Sequence, residues 1–448
     1  MPAAFAGATK LAALSYHTAR KSPKNFFDFS NQSEYIRQTM LLRLKNLIAD
    51  FPRQFWILFG GTLINQIGSG MVFPFLTLYL HQRLSLSMTS VGVILSVWAI
   101  SGLVGSLVGG SLTDRFGRKR LMVVSLGATA LGLAAFGFAD SLPTSVAVIV
   151  FVGFASAMFQ PARDAMVADL VGTDKRPQAY GLLRVVANLG IGIGPAIGGL
   201  LAARSYLIAF LASGTATGLF FFITLWSMRE TMPVGSPRHQ ATAAAPGNFA
   251  TVLRDHRFVL FCVATALAVV AYSQMMTVLP VYMKDQFGLG ESFYGWLMTT
   301  NALMVVALQF PITRATERLA RFPLIALGAV LYALGVASVA LGATFWHFVA
   351  SMAILTLGEM IVVPTATAVT ADMAPPQVRR RYMGTLALTW NIGFGIGPIL
   401  GGIIIDQIFP RALWPIMGSA ALAGAFVLVL LARSDPRRAL RAAVGEQP

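Results

Sequence analysis

The chain has 448 residues, of which 56% are hydrophobic and only 12% charged. A soluble domain carries about 25% charged residues, so a purely water-solvated fold is excluded and lipid must surround much of the chain. The net charge of +16 does not point to nucleic acid, because the basic residues sit in short segments between apolar runs, and the lone Cys262 excludes an intramolecular disulfide and a cysteine-rich metal site.

The first 53 residues are polar and basic. Within them Ile36, Met40, Leu41, Leu44, Leu47 and Ile48 recur at helical spacing, which predicts an interfacial amphipathic helix over 34–48. No removable signal peptide is expected, because the first long apolar run starts near Phe55 and lacks a small-residue cleavage site. A span needs about 20 mostly apolar residues. Twelve stretches meet that need: 55–80, 90–113, 121–139, 145–170, 179–203, 206–227, 258–283, 292–313, 323–342, 346–371, 382–405 and 412–432. Helices are the economical choice, since each satisfies its own backbone hydrogen bonds in lipid. The predicted fold is an all-α membrane protein with an N-terminal arm (1–53), six spans (54–227), a central loop (228–257), six more spans (258–432) and a tail (433–448). The stretch 234–247 of the central loop is linker-like in composition.

Lys and Arg set the expected orientation. With both termini cytoplasmic, 28 of the 34 basic residues fall in the arm, the inner loops and the tail. Only Arg83, Arg204, Lys284 and Arg411 fall in outer loops, while Arg163 and Arg184 lie inside spans. The expected location is the inner (cell) membrane.

Sliding the second half back by 203 positions aligns many residues without a gap. Thr113-Asp114-Arg115 meets Thr316-Glu317-Arg318, Arg118 meets Arg321, Pro161 meets Pro364, and Asp169 meets Asp372. The glycine run from Asn188 to Gly199 meets that from Asn391 to Gly402. Six spans per half is even, so both halves enter from the same side and the repeat is parallel, about an axis along the membrane normal. Such a design places a cavity between the halves, and rocking one half against the other exposes it to either side in turn.

The loop after span two reads Gly110-Ser-Leu-Thr-Asp114-Arg115-Phe-Gly117-Arg118-Lys119-Arg120. Gly117 allows a tight turn, and Asp114 can pair with the neighbouring cations or a helix N-terminus. In this motif the chain resembles the major facilitator superfamily, whose Gly-x-x-x-Asp-Arg-x-Gly-Arg-Lys/Arg signature lies at this place, with a weaker copy at 314–321. The resemblance covers 55–432. It implies an inner gate built on Asp114, Arg115, Gly117, Arg118, Glu317 and Arg318, with Asp169 and Asp372 holding the basic loops; the alternative is that these charges only set topology. Gly190, Gly194, Pro195, Gly198 and Gly199 look like the superfamily's antiporter motif, which could seal the cavity against leak. Close helix packing or dimerisation through small residues is the other reading.

Ionisable residues inside spans are functional candidates by default. Glu359 lies deep in span ten with no adjacent charge. A carboxyl in low dielectric favours its neutral form and can bind and release protons near neutral pH, which suits a coupling site; a structural hydrogen bonder is the alternative. Asp164 is a second proton-coupling candidate. Adjacent residues diverge on a helix, so Arg163 and Asp164 are expected to have different partners, and Arg163 and Arg184 are candidates for a static ion pair across spans four and five. Asn65, Gln66, Trp98, Tyr272, Gln274, Asn301, Trp390 and Asn391, with Glu359, complete a candidate cavity suited to an amphipathic or cationic solute.

The Gly358-Glu359 pair followed by Val362-Val-Pro364-Thr is similar to the LmrP- and MdtH-type multidrug exporters of that superfamily. This resemblance implies that Glu359 serves in proton coupling and drug recognition. Ile149 stands near the place in span four where many drug antiporters carry an arginine, and span seven has no acid. No phosphate-binding loop occurs, and His17, His81, His239, His256 and His347 are too scattered for a metal cluster. The sequence therefore predicts a proton-coupled exporter, not an enzyme, with no cofactor, metal or nucleic acid. Its expected partners are a small-molecule substrate, protons and the bilayer, and it is expected to act as a monomer. A metabolite or sugar uniporter or symporter, and a non-transporting receptor or scaffold, are the alternatives.

Overall fold

The computed structural model describes residues 48–139, 141–232 and 250–434. All but the last residue of the amphipathic stretch 34–48, the linker at 234–247 and nearly all of the tail lie outside them. The chain divides into two units, 1–53 and 54–448, and the second carries the membrane spans. They are α1 (Arg53–Arg83), α2 (Met88–Phe116), α3 (Arg118–Phe136), α4 (Leu142–Leu170), α5 (Arg176–Ala202), α6 (Tyr206–Ser227), α7 (His256–Thr277), α8 (Glu291–Thr316), α9 (Arg321–Leu341), α10 (Phe345–Met373), α11 (Arg379–Gln407) and α12 (Pro410–Arg433). This is a multi-pass membrane protein of two six-helix halves.

Several spans start earlier than their apolar runs. The helices at Arg118, Arg321 and Arg379 begin on basic residues, because a charged first turn continues the backbone ladder while its long side chain reaches toward water. Proline explains the interruptions: α1 narrows to a 3₁₀ turn at Phe73–Phe75 around Pro74, where the ring removes a backbone donor. α7 stops at Thr277 and resumes as a short helix, Leu279–Phe287, with Pro280 in its first turn.

The offset of 203 recurs in the contacts. Two seams join the halves, α5 against α8 and α2 against α11. In the first, the Gly199 site packs on the Glu291 carbonyl and the Gly295 site on the Pro195 carbonyl; in the second, the Gly402 site packs on the Met88 carbonyl and the Gly92 site on the Pro398 carbonyl. These four contacts map on one another, pair by pair, by the repeat.

The two ends of the bundle differ. The end that carries the turn at Gly117 and the cluster Arg379–Arg381 is the basic end; the opposite one is the far end. The hydrogen bonds between the halves, among the described residues, lie at the far end or midway. At the basic end, sites Gly110, Gly181 and Gly384 have no atom within 4 Å of an added Cβ. The far end is shut and the basic ends stand apart.

Candidate functional site

A cavity of about 360 Å³ lies where the seams meet. Its walls are mainly apolar and aromatic, with Phe73, Trp98, Met276, Met298 and Phe394 among them. The Phe73 and Trp98 rings pack at 4.9 Å. Of the candidates read from sequence, Gln66, Trp98 and Tyr272 line it.

Asn65, Gln274, Asn301, Glu359, Trp390 and Asn391 do not line it. Depth in a span does not set azimuth. Asn65 precedes its lining neighbour Gln66 by one position and so points about 100° away. Gln274 is fully buried and is a strut between helices: its amide donates to the Val270 carbonyl at 2.9 Å and to the Gly397 carbonyl of α11 at 2.9 Å. Asn391 is exposed, and Trp390 sits behind Tyr272 at 6.1 Å, ring to ring.

Glu359 instead belongs to a polar cluster in the second half. The Asn301 amide of α8 donates to its carboxylate at 2.9 Å and to the Thr356 hydroxyl at 2.8 Å. Thr356, one turn earlier on α10, donates in turn to the Met352 carbonyl at 2.7 Å. The Tyr272 hydroxyl faces the same carboxyl from α7. No ion pair reaches Glu359 among the described residues.

The charges in span four are arranged otherwise than expected. Arg163 pairs with its neighbour Asp164, at 2.8 and 3.0 Å. Adjacent Cβ vectors diverge, but the long arginine chain folds back over its own turn and crosses the Phe159 ring. Arg184 is exposed and makes no ion pair among the described residues, so no bridge spans α4 and α5.

At the basic end Arg118 binds Asp169 at 2.9 Å and approaches Asp114 at 3.8 Å. The repeat places Arg321 on Asp372 in the second half. Arg115 lies against Phe116, while Glu317 and Arg318 are exposed. These pairs brace each half internally, and none crosses between halves in this state. Gly117 adopts φ +98°. The turn is completed by Glu230, whose carboxylate accepts the backbone N–H of Arg118 at 2.9 Å and of Lys119 at 3.1 Å. Glu230 escaped the sequence reading because it falls just past span six, outside the signature.

The glycine run of α5 is a packing surface. The Gly190, Gly194 and Gly198 sites meet Gln66, Gly70 and Met71 of α1, Gly199 meets α8, and Pro195 lines the cavity. At the far end a second group was missed. Asp406 accepts the N–H groups of Met88 and Thr89 at 3.1 and 2.7 Å and the Thr89 hydroxyl at 2.6 Å. Lys284 joins Gln82 at 2.7 Å and Glu291, which also accepts from Tyr206, and His81 meets Asp285 at 3.1 Å. For Asp406 the legible signal was an acid at a span end with no cation beside it; a tally of cations alone passes over it.

Two pseudo-symmetric halves around a central cavity, shut at one end only, define a membrane transporter rather than an enzyme. The sequence profile of the Major Facilitator Superfamily matches residues 58–292 and 261–448, and the chain belongs to that superfamily. It is 26% identical to a Na(+), Li(+), K(+)/H(+) antiporter of Planococcus maritimus, over 79% of this chain and 89% of that one. It is 25% identical to the multidrug resistance protein MdtH of Escherichia coli strain SE11, over 76% of this chain and 83% of that one. The crystal structure of the nucleoside transporter NupG superposes with a TM-score of 0.75 at 14% identity, covering 86% of this chain and all of that one, which speaks to the fold alone.

Proposed function

We propose that the chain exports amphipathic or cationic small molecules in exchange for protons, with Glu359 as the proton site. The observation that carries this reading is a membrane-buried carboxyl, held by Asn301 and free of ion pairs among the described residues, one tyrosine away from an apolar cavity between the halves. A bare charge there is costly, so the group exchanges protons rather than standing permanently ionised. The printed names of two relatives, a multidrug resistance protein and a cation/proton antiporter, agree with this class of activity. Exchange of bare monovalent cations is the less favoured reading, since hard cations want several oxygen ligands and the cavity walls offer few.

The basic end is taken as cytoplasmic, together with both termini and the arm 1–53, from the 28 basic residues assigned to that side. The closed far seams then make this the inward-facing state. The loop 228–257 joins the two halves on the same side, and the chain acts as a monomer in the inner membrane. The cluster of Asp114, Arg118, Asp169, Arg321 and Asp372 is released from any cross-half role in this state and forms the inner gate in the opposite one. Asp164, tied to Arg163, is secondary to Glu359 in coupling.

Reconstituted vesicles loaded with a lipophilic cationic dye test the reading. An imposed pH gradient should drive dye movement with the wild-type chain and not with Glu359→Gln. Undiminished gradient-driven movement with that variant would show that the acid is not the proton site.

A further inference from the structure

Taking Glu359 as the proton site, we propose that cargo and proton occupy separate sites, and that Tyr272 is the element linking them. The cavity belongs mainly to the first half. Helices α1 to α5 supply most of its wall, and the second half adds only Tyr272, Met276, Tyr294, Met298 and Phe394. Glu359 is not in that wall. Its carboxylate is tied on the other side, to Asn301. At about 360 Å³ the cavity is large enough for a small drug-like solute, which can fill it without touching the acid. A proton arriving at Glu359 therefore has no cargo atom to displace.

Among the described residues, Tyr272 alone belongs to both places. Its ring lines the cavity, and its hydroxyl is placed to donate a hydrogen bond to the Glu359 carboxyl. The ring is held by Tyr332 at 5.1 Å, Trp390 at 6.1 Å and Phe394 at 6.0 Å, and Phe394 is itself a wall residue. The titratable groups facing Glu359 are Tyr272 from α7 and Tyr332 from α9; α8 contributes the neutral Asn301 amide. An ionised carboxylate accepts hydrogen bonds only, and draws the Tyr272 hydroxyl toward it. A protonated carboxyl needs an acceptor for its own proton and releases that hydroxyl as a donor. The hydroxyl then turns toward the cavity, and the ring and Phe394 shift the wall that the cargo feels. The link is a change of hydrogen-bond direction and involves no covalent step.

The test compares wild type, Tyr272→Phe, Tyr272→Leu and Glu359→Gln in proteoliposomes with a lipophilic cationic dye. Two rates are read: dye counterflow without a pH gradient, and dye movement driven by one. Dye affinity is measured on either side of neutral pH. Tyr272→Phe keeps the ring and loses only the hydroxyl, so its own counterflow serves as the reference against which its coupling is read. It should lose gradient-driven movement by about tenfold, the factor carried by one hydrogen bond to a charged group, together with the pH dependence of affinity. Glu359→Gln should do the same, whereas Tyr272→Leu, which also loses the ring, should lose counterflow. Wild-type coupling in Tyr272→Phe would overturn the link while leaving the proton site intact. Loss of dye binding in Glu359→Gln would show the acid to be a direct cargo ligand and overturn the separation. Unchanged coupling in Glu359→Gln would overturn both this inference and the reading beneath it.

Discussion

Replacing Asp406 with alanine should open the far end. This carboxylate sits on the last turn of α11 and takes the first two backbone N–H groups of α2 plus the Thr89 hydroxyl, all across the seam. It is a helix cap supplied by the other half, and it exists only while the far ends touch. Loss of a capping acceptor costs about 0.5–2 kcal/mol. Asp406 is exposed, so water replaces part of what is lost, and a charge-assisted pair at this surface is worth about 1–2 kcal/mol at most. That shifts the equilibrium between far-closed and far-open states by about 5- to 30-fold. A cysteine at position 292 can report it, in a background where the buried Cys262 is replaced by alanine. Ser292 now packs on the Gly199 carbonyl at 3.3 Å across the other seam. Its labelling by a membrane-impermeant thiol reagent should speed up by the same factor in Asp406→Ala, and by less in Asp406→Asn, which keeps one acceptor oxygen. Equal labelling rates in all three proteins would refute the trans-cap.

Gly92→Ala should also favour the far-open state, because the new methyl would collide with the Pro398 carbonyl oxygen; Gly110→Ala, in open space, should label like the wild type. Gly117→Ala forces a side chain into φ +98° and to 2.5 Å from a Glu230 carboxylate oxygen. It should cost about 1–3 kcal/mol, read as a lower melting temperature of the detergent-solubilised protein. The Thr129 hydroxyl lies against the cavity with no hydrogen-bond partner among the described residues. Since an unpaired buried polar group costs about 1–3 kcal/mol, Thr129→Val should melt higher, and should narrow recognition of cargos that can bond that hydroxyl; a lower melting temperature would mean that the hydroxyl is satisfied in the working protein.

The architecture was legible because its signals are one-dimensional. Span length follows from bilayer thickness, and the 203-residue offset that aligns Gly199 with Gly402 also relates their contacts with Glu291 and Met88. Azimuth was not legible. Gln66 and Asn65 are adjacent and equally deep, yet only Gln66 lines the cavity. Gln274 looked like a ligand and is a strut to Gly397. The Arg163–Asp164 pair depends on an arginine rotamer that no spacing rule describes. The repeat could not point to Asp406 either, because its counterpart in the first half is Ala203 and the cross-half cap has no copy.

Proton release on cargo binding tests the central claim most directly. Detergent-solubilised protein is mixed with a lipophilic cationic dye in weakly buffered solution near neutral pH, and the free proton concentration is followed. The wild-type chain should release protons in step with dye bound, while Glu359→Gln binds dye and releases none. Equal proton release from both proteins would contradict the account.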